Sequence, residues 1–370
     1  MVPCPIPRYL PPVPIIPLIG HAALRQRFDS AIARGTLPGS LLLHGPAGIG
    51  KQRLALWLGQ RLLCSGPDPR PCGQCQHCRY VEAGTHPDLH WIFPRPRLKD
   101  GDASAADVEA DYGEAIADRV TAHGLYAPPG GNEGIFVATV RAVVHAAALA
   151  PGVGARKVFV IGDAERMVSQ EGADQAANAF LKLLEEPPEN TNLVLTTSEP
   201  GALLPTIRSR VMAVRVPRLV DADMRQFLDH ELVRAHLEKL SLPRDRDDLM
   251  RLANGAPGAL LAQSALDDAL ARARRLLDAA SAGDRAERMR AAFVQGSARA
   301  RGDFTDALNA LTVLLHERTR AAVARADETA ALGAARAADA VERAKASAGG
   351  NANPQLVTFT LLRELEAALR

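Results

Sequence analysis

Short apolar runs alternate with stretches of helical periodicity over about residues 21–217. Three of the runs, residues 40–43, 157–161 and 193–197, are rich in leucine and β-branched residues and predict buried strands. Each run is followed by a turn and then by a helix-period segment, which is the order of elements in a parallel sheet with helices on both faces. The pattern predicts an α/β domain over residues 1–217.

Beyond that domain the pattern predicts helices only. Residues 218–265 form a small helical unit, and residues 266–370 are rich in Ala, Arg and Leu at helical spacing. Near the end of the chain, Asn353 can cap a helix that begins at Pro354, where a missing N–H costs nothing. The apolar positions that predict the buried face of this helix are Leu356, Phe359, Leu362, Leu365 and Leu369.

One stretch of the first domain departs from the strand–helix alternation. Residues 101–118 contain six acidic residues and no basic one, and a Pro-Pro-Gly-Gly sequence follows at 128–131. Such a composition does not supply enough apolar surface for stable packing. We expect a mobile insertion loop over about residues 97–133.

Composition excludes several classes of function. With 44 Lys+Arg against 42 Asp+Glu, the net charge of +2 argues against a protein that coats nucleic acid, and 4% aromatic residues argue against a stacking platform for single strands. No apolar run approaches the roughly 20 residues of a membrane helix. Seven of the first 17 residues are proline, which is incompatible with the helix of a signal peptide. We therefore expect a cytoplasmic protein with no membrane partner.

A glycine-rich segment, residues 45–52, lies between a predicted strand and a predicted helix, as a phosphate-binding loop requires. The glycines Gly45, Gly48 and Gly50 let backbone N–H groups surround an anion, and Lys51 can reach the outer phosphates. The last position normally carries a Ser or Thr hydroxyl that ligates Mg²⁺, and here it is Gln52. The loop therefore keeps its phosphate-binding features, but it lacks the hydroxyl that would ligate Mg²⁺.

The second nucleotide element, a strand that ends in Asp-Glu, is also incomplete. If the strand ends at Ile161, Gly162 takes the place of the metal-binding acid and Asp163 that of the general base; a shift by one residue places Ala164 at the base. Either register lacks one carboxylate, and loss of a positioned base costs about 10²–10⁴ in rate. We do not expect ATP hydrolysis by this chain alone, and the binding of ATP and Mg²⁺ stays open.

Four of the five cysteines lie within fifteen residues, and Cys4 stands alone. Their spacing predicts a closed tetrahedral Zn²⁺ site, hence a structural one, because four thiolates leave no open position. This zinc module, residues 64–78, leaves His77 as a surface residue. The predicted ligands are Cys64, Cys72, Cys75 and Cys78.

A zinc module placed directly after a phosphate-loop helix resembles the bacterial clamp-loader AAA+ family, the subunits of the DNA polymerase III holoenzyme. Further similar segments are GTHPD at 84–88, NAFLKLLEEPP at 178–188, and RSRV at 208–211, which resembles the family's Ser-Arg-Cys signature with Val211 in place of Cys. The resemblance is good over 21–217 and weakens through 265. It implies an AAA+ domain with an inserted zinc module, then a helical lid domain (218–265) and an all-α collar domain for oligomerisation (266–370).

Within that family the incomplete nucleotide site resembles the delta-prime subunits, the stators of the clamp loader. Gly258 stands where the gamma/tau motor subunits have a second-sensor arginine, while Thr197 falls on the first-sensor position. The resemblance implies that Arg210 acts as an arginine finger in a neighbouring subunit's ATP site, with Arg208 as the weaker candidate. It also implies gamma/tau and delta subunits, the sliding clamp and primed DNA as partners in a DNA-directed DNA polymerase (nucleotidyltransferase) holoenzyme.

Two other interpretations stay open. The chain can be a gamma/tau-type ATPase in which Lys51 and Asp163 are still competent. It can also be a zinc-dependent DNA-binding module with a vestigial ATPase fold, although the near-neutral charge argues against this.

Overall fold

The computed structural model describes residues 15–98, 103–130, 133–167, 174–240, 242–282, 284–293, 300–349 and 353–369. Cys4 and the proline-rich start lie outside the described residues. The chain divides into two compact units, one comprising Met1–Pro128 and Gly134–Leu261, the other Pro129–Glu133 and Ala262–Arg370. Within the described ranges, no helix is both long and apolar enough to span a membrane.

The first unit is built on a five-stranded, fully parallel sheet with the order β2-β3-β4-β1-β5. The three strands predicted from the sequence are confirmed, and two more are present. The sequence pattern missed β2 and β5 because each has only four residues and is partly exposed at an edge of the sheet. The strands are β1 (Ser40–His44), β2 (Leu89–Ile92), β3 (Lys157–Ile161), β4 (Thr191–Thr197) and β5 (Met212–Arg215).

Helices pack against this sheet, as expected for a parallel α/β unit. The apolar side chains of β1, β3 and β4 are all buried, and they form one core with the helices around them. These helices are α1 (Ala22–Ala33), α2 (Lys51–Leu63), α3 (Gln76–Glu82), α4 (Ala105–Thr121), α5 (Val137–Ala148), α6 (Asp174–Glu185) and α7 (Pro205–Arg208), and a 3₁₀ turn spans Ala164–Arg166.

The acidic insertion is not the loop we expected over 97–133, because most of its described residues form helix α4. A capping box starts the helix, in which the Ser104 hydroxyl accepts the Asp107 N–H and the Asp107 carboxylate accepts the Ser104 N–H. The residues buried along α4 recur at helical spacing, and four of the five acids in the helix are exposed, while Asp111 is half-buried and pairs with Arg95. The many acidic residues of this segment made the buried stripe hard to recognise from composition. The stripe consists of Val108, Tyr112, Ala115, Arg119 and Val120.

The next four helices in the chain begin after β5. Three of them lie wholly in the first unit. Their apolar side chains form a cluster of their own with Ile16 and Leu125. They are α8 (Asp221–Asp229), α9 (Glu231–Leu237), α10 (Arg246–Ala253) and α11 (Gly258–Ser281), which continues past the boundary at Leu261.

From Ala262 onward, the described residues of the second unit form helices joined by short non-helical segments, and these helices have a separate core. Besides the remainder of α11, it contains α12 (Arg285–Phe293), α13 (Ala300–Ala324), α14 (Glu328–Gly349) and α15 (Pro354–Leu369). The division into domains at 217/218 and 265/266 stays a prediction.

Helix α15 begins at Pro354, and the Asn353 side chain accepts the Gln355 N–H at 2.8 Å, as the sequence predicts. The predicted buried face was wrong at Leu356, which is 68% exposed. The buried stripe includes Val357, Leu361 and Leu365, so it is rotated by one residue at the start of the helix. Two overlapping sets of apolar residues at spacings of three and four made both faces plausible from sequence.

Candidate functional site

The parallel sheet brings the predicted nucleotide-site residues to one edge. The carboxyl ends of β1, β4 and β3 are neighbours in the sheet, and the residues that follow them are Gly45, Ser198 and Gly162. Ligands of open α/β sheets bind at such an edge. The geometry of this edge therefore decides what the site can hold.

The phosphate loop has backbone torsions that require its glycines. Gly45, Gly48 and Gly50 have φ values of 156°, 74° and 87°. A Cβ on Gly45 would lie only 2.3 Å from the carbonyl oxygen of Val216. The loop leads directly into α2, whose first residue is Lys51, so its N–H groups and the helix N-terminus face the same space.

Lys51 is bound within the loop itself. Its side chain is buried, at 5% exposure, and the ammonium group donates to the carbonyls of Gly45 (3.0 Å) and Pro46 (2.7 Å) and to the Ser198 hydroxyl (3.1 Å). Burial lowers the pKa of Lys51, and the nearby carboxylates Asp163 and Glu165 oppose that shift. All three donor positions of the ammonium group are thus satisfied by protein oxygens.

Gln52 takes the position of the Ser or Thr hydroxyl that would ligate Mg²⁺ in a phosphate loop. Its amide nitrogen donates to Asp163 Oδ2 at 2.9 Å. Its amide oxygen accepts from Trp91 Nε1 at 3.0 Å, and from Arg119 Nη1 and the Tyr126 hydroxyl at 3.3 Å each. These partners fix the orientation of the amide, because an indole only donates and an ionised carboxylate only accepts.

The Mg²⁺ ion that a phosphate-loop fold implies does not fit this arrangement. Strand β3 ends at Ile161, so Gly162 holds the position of the metal-binding acid and Asp163 follows it. The carboxylate oxygen that would face the ion receives an N–H instead, whereas Mg²⁺ needs an octahedron of oxygens. Gly162 leaves room for the Gln52 amide, since a Cβ there would lie 2.3 Å from its Cδ atom.

Gly162→Ala should therefore destabilise the chain by about 2–4 kcal/mol, because the added methyl group displaces the buried amide and its hydrogen bonds. In a Gln52→Ser background the same change should cost almost nothing, since the clashing atoms are gone. Urea unfolding measures both differences. Gly113→Ala, at a helical site with no atom within 4 Å of the added Cβ, is the matched control. An equal cost in both backgrounds would contradict the account.

The end of β4 carries the predicted first-sensor residue, Thr197, and directly after it a residue that contacts Lys51. Thr197 is fully buried, and its hydroxyl accepts the backbone N–H of Glu199 at 3.0 Å. The side chain that reaches Lys51 is Ser198, one residue further along. The Ser198 N–H in turn binds Glu165 Oε1 at 3.0 Å. Sequence reasoning missed Ser198 and Glu165, because their role depends on the exact turn after each strand.

Gly258 permits a direct backbone contact between helix α11 and the phosphate loop. Its N–H donates to the Gly48 carbonyl at 2.8 Å. A Cβ on Gly258 would lie 2.6 Å from the Cα atom of Gly48, so no larger side chain fits without movement of the backbone. The residue at the second-sensor position thus packs on the loop and carries no charge to it.

Arg210 lies just before β5 and is held by residues of its own chain. Its Nε lies 2.6 Å from Glu185 Oε1, and its Nη1 donates to the Thr206 carbonyl at 2.8 Å. The side chain remains 29% exposed. Arg208 is exposed, and its Nη1 donates to the Pro200 carbonyl at 3.3 Å. Arg210 is thus the better anchored of the two predicted candidates.

The four clustered cysteines converge as the spacing predicts. Their sulfurs all lie within 4.8 Å of one another, and those of Cys64 and Cys75 are 3.8 Å apart. Tetrahedral Zn²⁺ with Zn–S bonds of about 2.3 Å needs sulfurs about 3.8 Å apart. A Cβ on Gly66 would lie 2.4 Å from the Cys72 sulfur, so only glycine allows this approach. The donor set fits a zinc ion.

Hydrogen bonds to sulfur favour the thiolate form in part of the cluster. Burial by itself would raise the pKa of Cys75, but donors that include the backbone N–H groups of Cys78 and Ser65 lower it to about 5. Burial raises the pKa of Cys78. Because a metal ligand must be deprotonated, this cluster would release protons when it binds a cation.

A second polar network supports the cysteine cluster. His77 is not the surface residue we expected, because it is half-buried and its Nδ1 lies 2.9 Å from His86 Nε2. The other nitrogen of His86 accepts the Asp88 N–H. The Asp88 carboxylate is buried and accepts three successive N–H groups, from residues 152–154, at 2.5–2.9 Å. These hydrogen bonds give His86 and Asp88 a structural role next to the cysteine cluster.

The parallel sheet with a phosphate loop after β1 defines a protein of the phosphate-loop α/β class. Comparison with known proteins makes the assignment more specific. A family model described as DNA polymerase III, delta subunit, matches residues 20–220, more than half of the chain, and the chain belongs to that family.

Three curated relatives illustrate the similarity. The DNA polymerase III delta-prime subunit of Pseudomonas aeruginosa is 33% identical over 217 residues, covering 58% of this chain and 52% of that protein. The delta-prime subunit of Escherichia coli is 29% identical over 243 residues (65% and 59%), and the tau subunit of that organism is 28% identical over 256 residues (69% and 32%). The chain spans about half the length of the curated delta-prime relatives it matches.

Proposed function

We propose that this chain is a delta-prime-type subunit of the clamp loader of DNA polymerase III, which assembles with gamma/tau and delta subunits in the cytoplasm. In that complex it would help to place the sliding clamp on primed DNA. Its own contribution would be a rigid framework and an interface arginine rather than ATP hydrolysis. The family match and the delta-prime relatives support this assignment.

The observation that carries the proposal is the filled metal position. Gln52 and Asp163 are hydrogen-bonded to each other where a phosphate-loop ATPase binds Mg²⁺. Without the ion, the charge that develops on the transferred phosphoryl group lacks its main stabiliser. The similarity to tau favours the gamma/tau-type ATPase as a second candidate, but that candidate needs the metal position that Gln52 occupies.

Arg210 would act on the ATP site of a neighbouring subunit. A guanidinium group suits this role because it stays charged and its planar fork matches phosphate oxygens. Its pairing with Glu185 and Thr206 orients the side chain while part of it stays accessible. The pairing also keeps the charge partly neutralised until a phosphate competes for it.

The zinc module would stiffen the first unit next to helix α2. The cysteine cluster extends from Cys64, the residue that follows α2, to Cys78 in α3. Four sulfurs close the coordination shell, so a bound Zn²⁺ would have no site for substrate or water. Its role would be structural.

Size-exclusion chromatography with light scattering tests the assembly. The full chain is mixed with the gamma/tau and delta subunits of the same source organism, and each protein and each pair is run separately for reference. We expect the chain to co-elute in a single species with both partners. Elution of the chain at its own size in every mixture would contradict the proposal.

A further inference from the structure

The acidic insertion contributes a buried arginine to the metal position. Arg119 lies in the last turn of α4 and is only 9% exposed. Its guanidinium carbon lies 3.3 Å from the ring centroid of Phe93, 3.8 Å from that of Tyr126 and 4.9 Å from that of Trp91. Aromatic faces attract a cation, but burial of a charge of this size also requires a counter-charge.

The Asp163 carboxylate supplies the counter-charge, and the Gln52 amide lies between it and Arg119. Arg119 Nη1 lies 3.3 Å from the Gln52 amide oxygen, and the amide nitrogen of the same side chain donates to Asp163 Oδ2 at 2.9 Å. Arginine, amide and carboxylate thus form one chain of donors and acceptors, and each bond in such a chain polarises the next.

Asp163 needs this compensation because it is itself partly buried. Burial and then Glu165 raise its pKa, while basic neighbours that include Arg119 lower it. The basic side chains that oppose the shift are Lys51, Arg166 and Arg119. Lys51 already donates to two carbonyls and a hydroxyl, so Arg119 supplies a charge that is not used by the phosphate loop.

We propose that Gln52 and Arg119 together replace the divalent cation of a phosphate-loop site. Gln52 supplies the donor that contacts the carboxylate, and Arg119 supplies the positive charge behind it. The insertion is then a structural part of the degenerate site, because α4 delivers a positive charge that is not already engaged by the phosphate loop. This inference does not depend on membership of a clamp-loader complex.

Thermal unfolding of the full chain tests whether the charge of Arg119 matters. Arg119→Met keeps an unbranched side chain but removes the charge, and we expect its midpoint to fall by about 10 °C. Arg119→Lys keeps the charge and should lose less than half as much. Arg97→Met, at an exposed arginine in the segment before α4, is the control and should shift the midpoint by about 1 °C or less. If Arg119 only fills space, the apolar Met variant will equal or exceed the Lys variant in stability, which would overturn the proposal.

A double-mutant cycle tests the coupling to Asp163. Asp163→Asn removes the charge but keeps an oxygen that accepts from Gln52, so the midpoint shift caused by Arg119→Met should fall by at least half in that background. Equal shifts in both backgrounds would overturn the proposal. If Arg119→Met does not fold, Arg119→Gln, which also removes the charge but keeps an N–H donor, takes its place in the same cycle, with the same criterion.

Manganese binding gives a readout that does not depend on stability. We expect electron paramagnetic resonance to detect no Mn²⁺ site with a Kd below about 1 mM in the full chain, because the carboxylate is already satisfied. The cysteine cluster does not interfere, since Mn²⁺ prefers oxygen ligands. A tighter site that disappears in Asp163→Asn would overturn the proposal.

Discussion

Arg210→Ala should slow ATP hydrolysis at one neighbouring subunit of the reconstituted complex by about 10³-fold or more. The guanidinium group would stabilise charge on the transferred phosphoryl group, and alanine leaves that charge unpaired. The variant chain should still fold, because Arg210 is partly exposed and its ion pair with Glu185 contributes at most about 1 kcal/mol. Single-turnover hydrolysis in the complex resolves the slow site from the unaffected ones.

Two other arginine variants make this result specific. Arg141→Ala removes an exposed arginine from α5 and should leave every rate unchanged. Arg208→Ala separates the two candidates next to β5, and only a loss confined to Arg210→Ala supports our assignment. Normal hydrolysis in an assembled complex that contains Arg210→Ala would remove the finger role.

Cys75→Ser should reduce the zinc content of the purified chain from about one equivalent to nearly none. A serine hydroxyl does not ionise near neutral pH, so the remaining three thiolates hold the ion far more weakly. Residues 64–90 should then lose protection against proteolysis, while the core of the parallel sheet persists. Metal analysis and limited proteolysis measure the two effects.

The control for the zinc prediction lies between two of the ligands. Gln74→Ala changes an exposed side chain and leaves all four sulfurs in place, so zinc content and proteolysis should match the unaltered chain. A chelator should reproduce the effect of Cys75→Ser in the unaltered chain. Full zinc content in Cys75→Ser would contradict the four-thiolate site.

The central elements of the fold could be predicted because their sequence pattern is strong. Strand β3 has the predicted bounds, and the described side chains of β1 and β4 are nearly all buried, as continuous apolar runs indicate. Helix α4 could not be predicted from composition, because its five acidic residues, most of them exposed, lie between the positions of a narrow buried stripe. The helical spacing of the apolar residues, rather than the charge of the segment, was the informative signal for this helix.

The candidate site was predictable where spacing alone defines chemistry. The four cysteines and the phosphate loop are local in sequence, and the structure places them as expected. Gln52 was recognised only as a missing hydroxyl, because its four partners come from β2, the turn after β3, α4 and the segment after α4. Long-range contacts of this kind leave no periodic trace in a single sequence.

Mg²⁺-dependent phosphate release by the purified chain alone tests the central claim most directly, namely that the chain belongs to an ATPase class but has lost its own catalysis. We predict no turnover above the background of uncatalysed hydrolysis, because the Gln52 amide occupies the metal position and Gly162 replaces the metal-binding acid. Turnover on the order of once per second, abolished by Lys51→Ala, would contradict the account and identify a working ATPase.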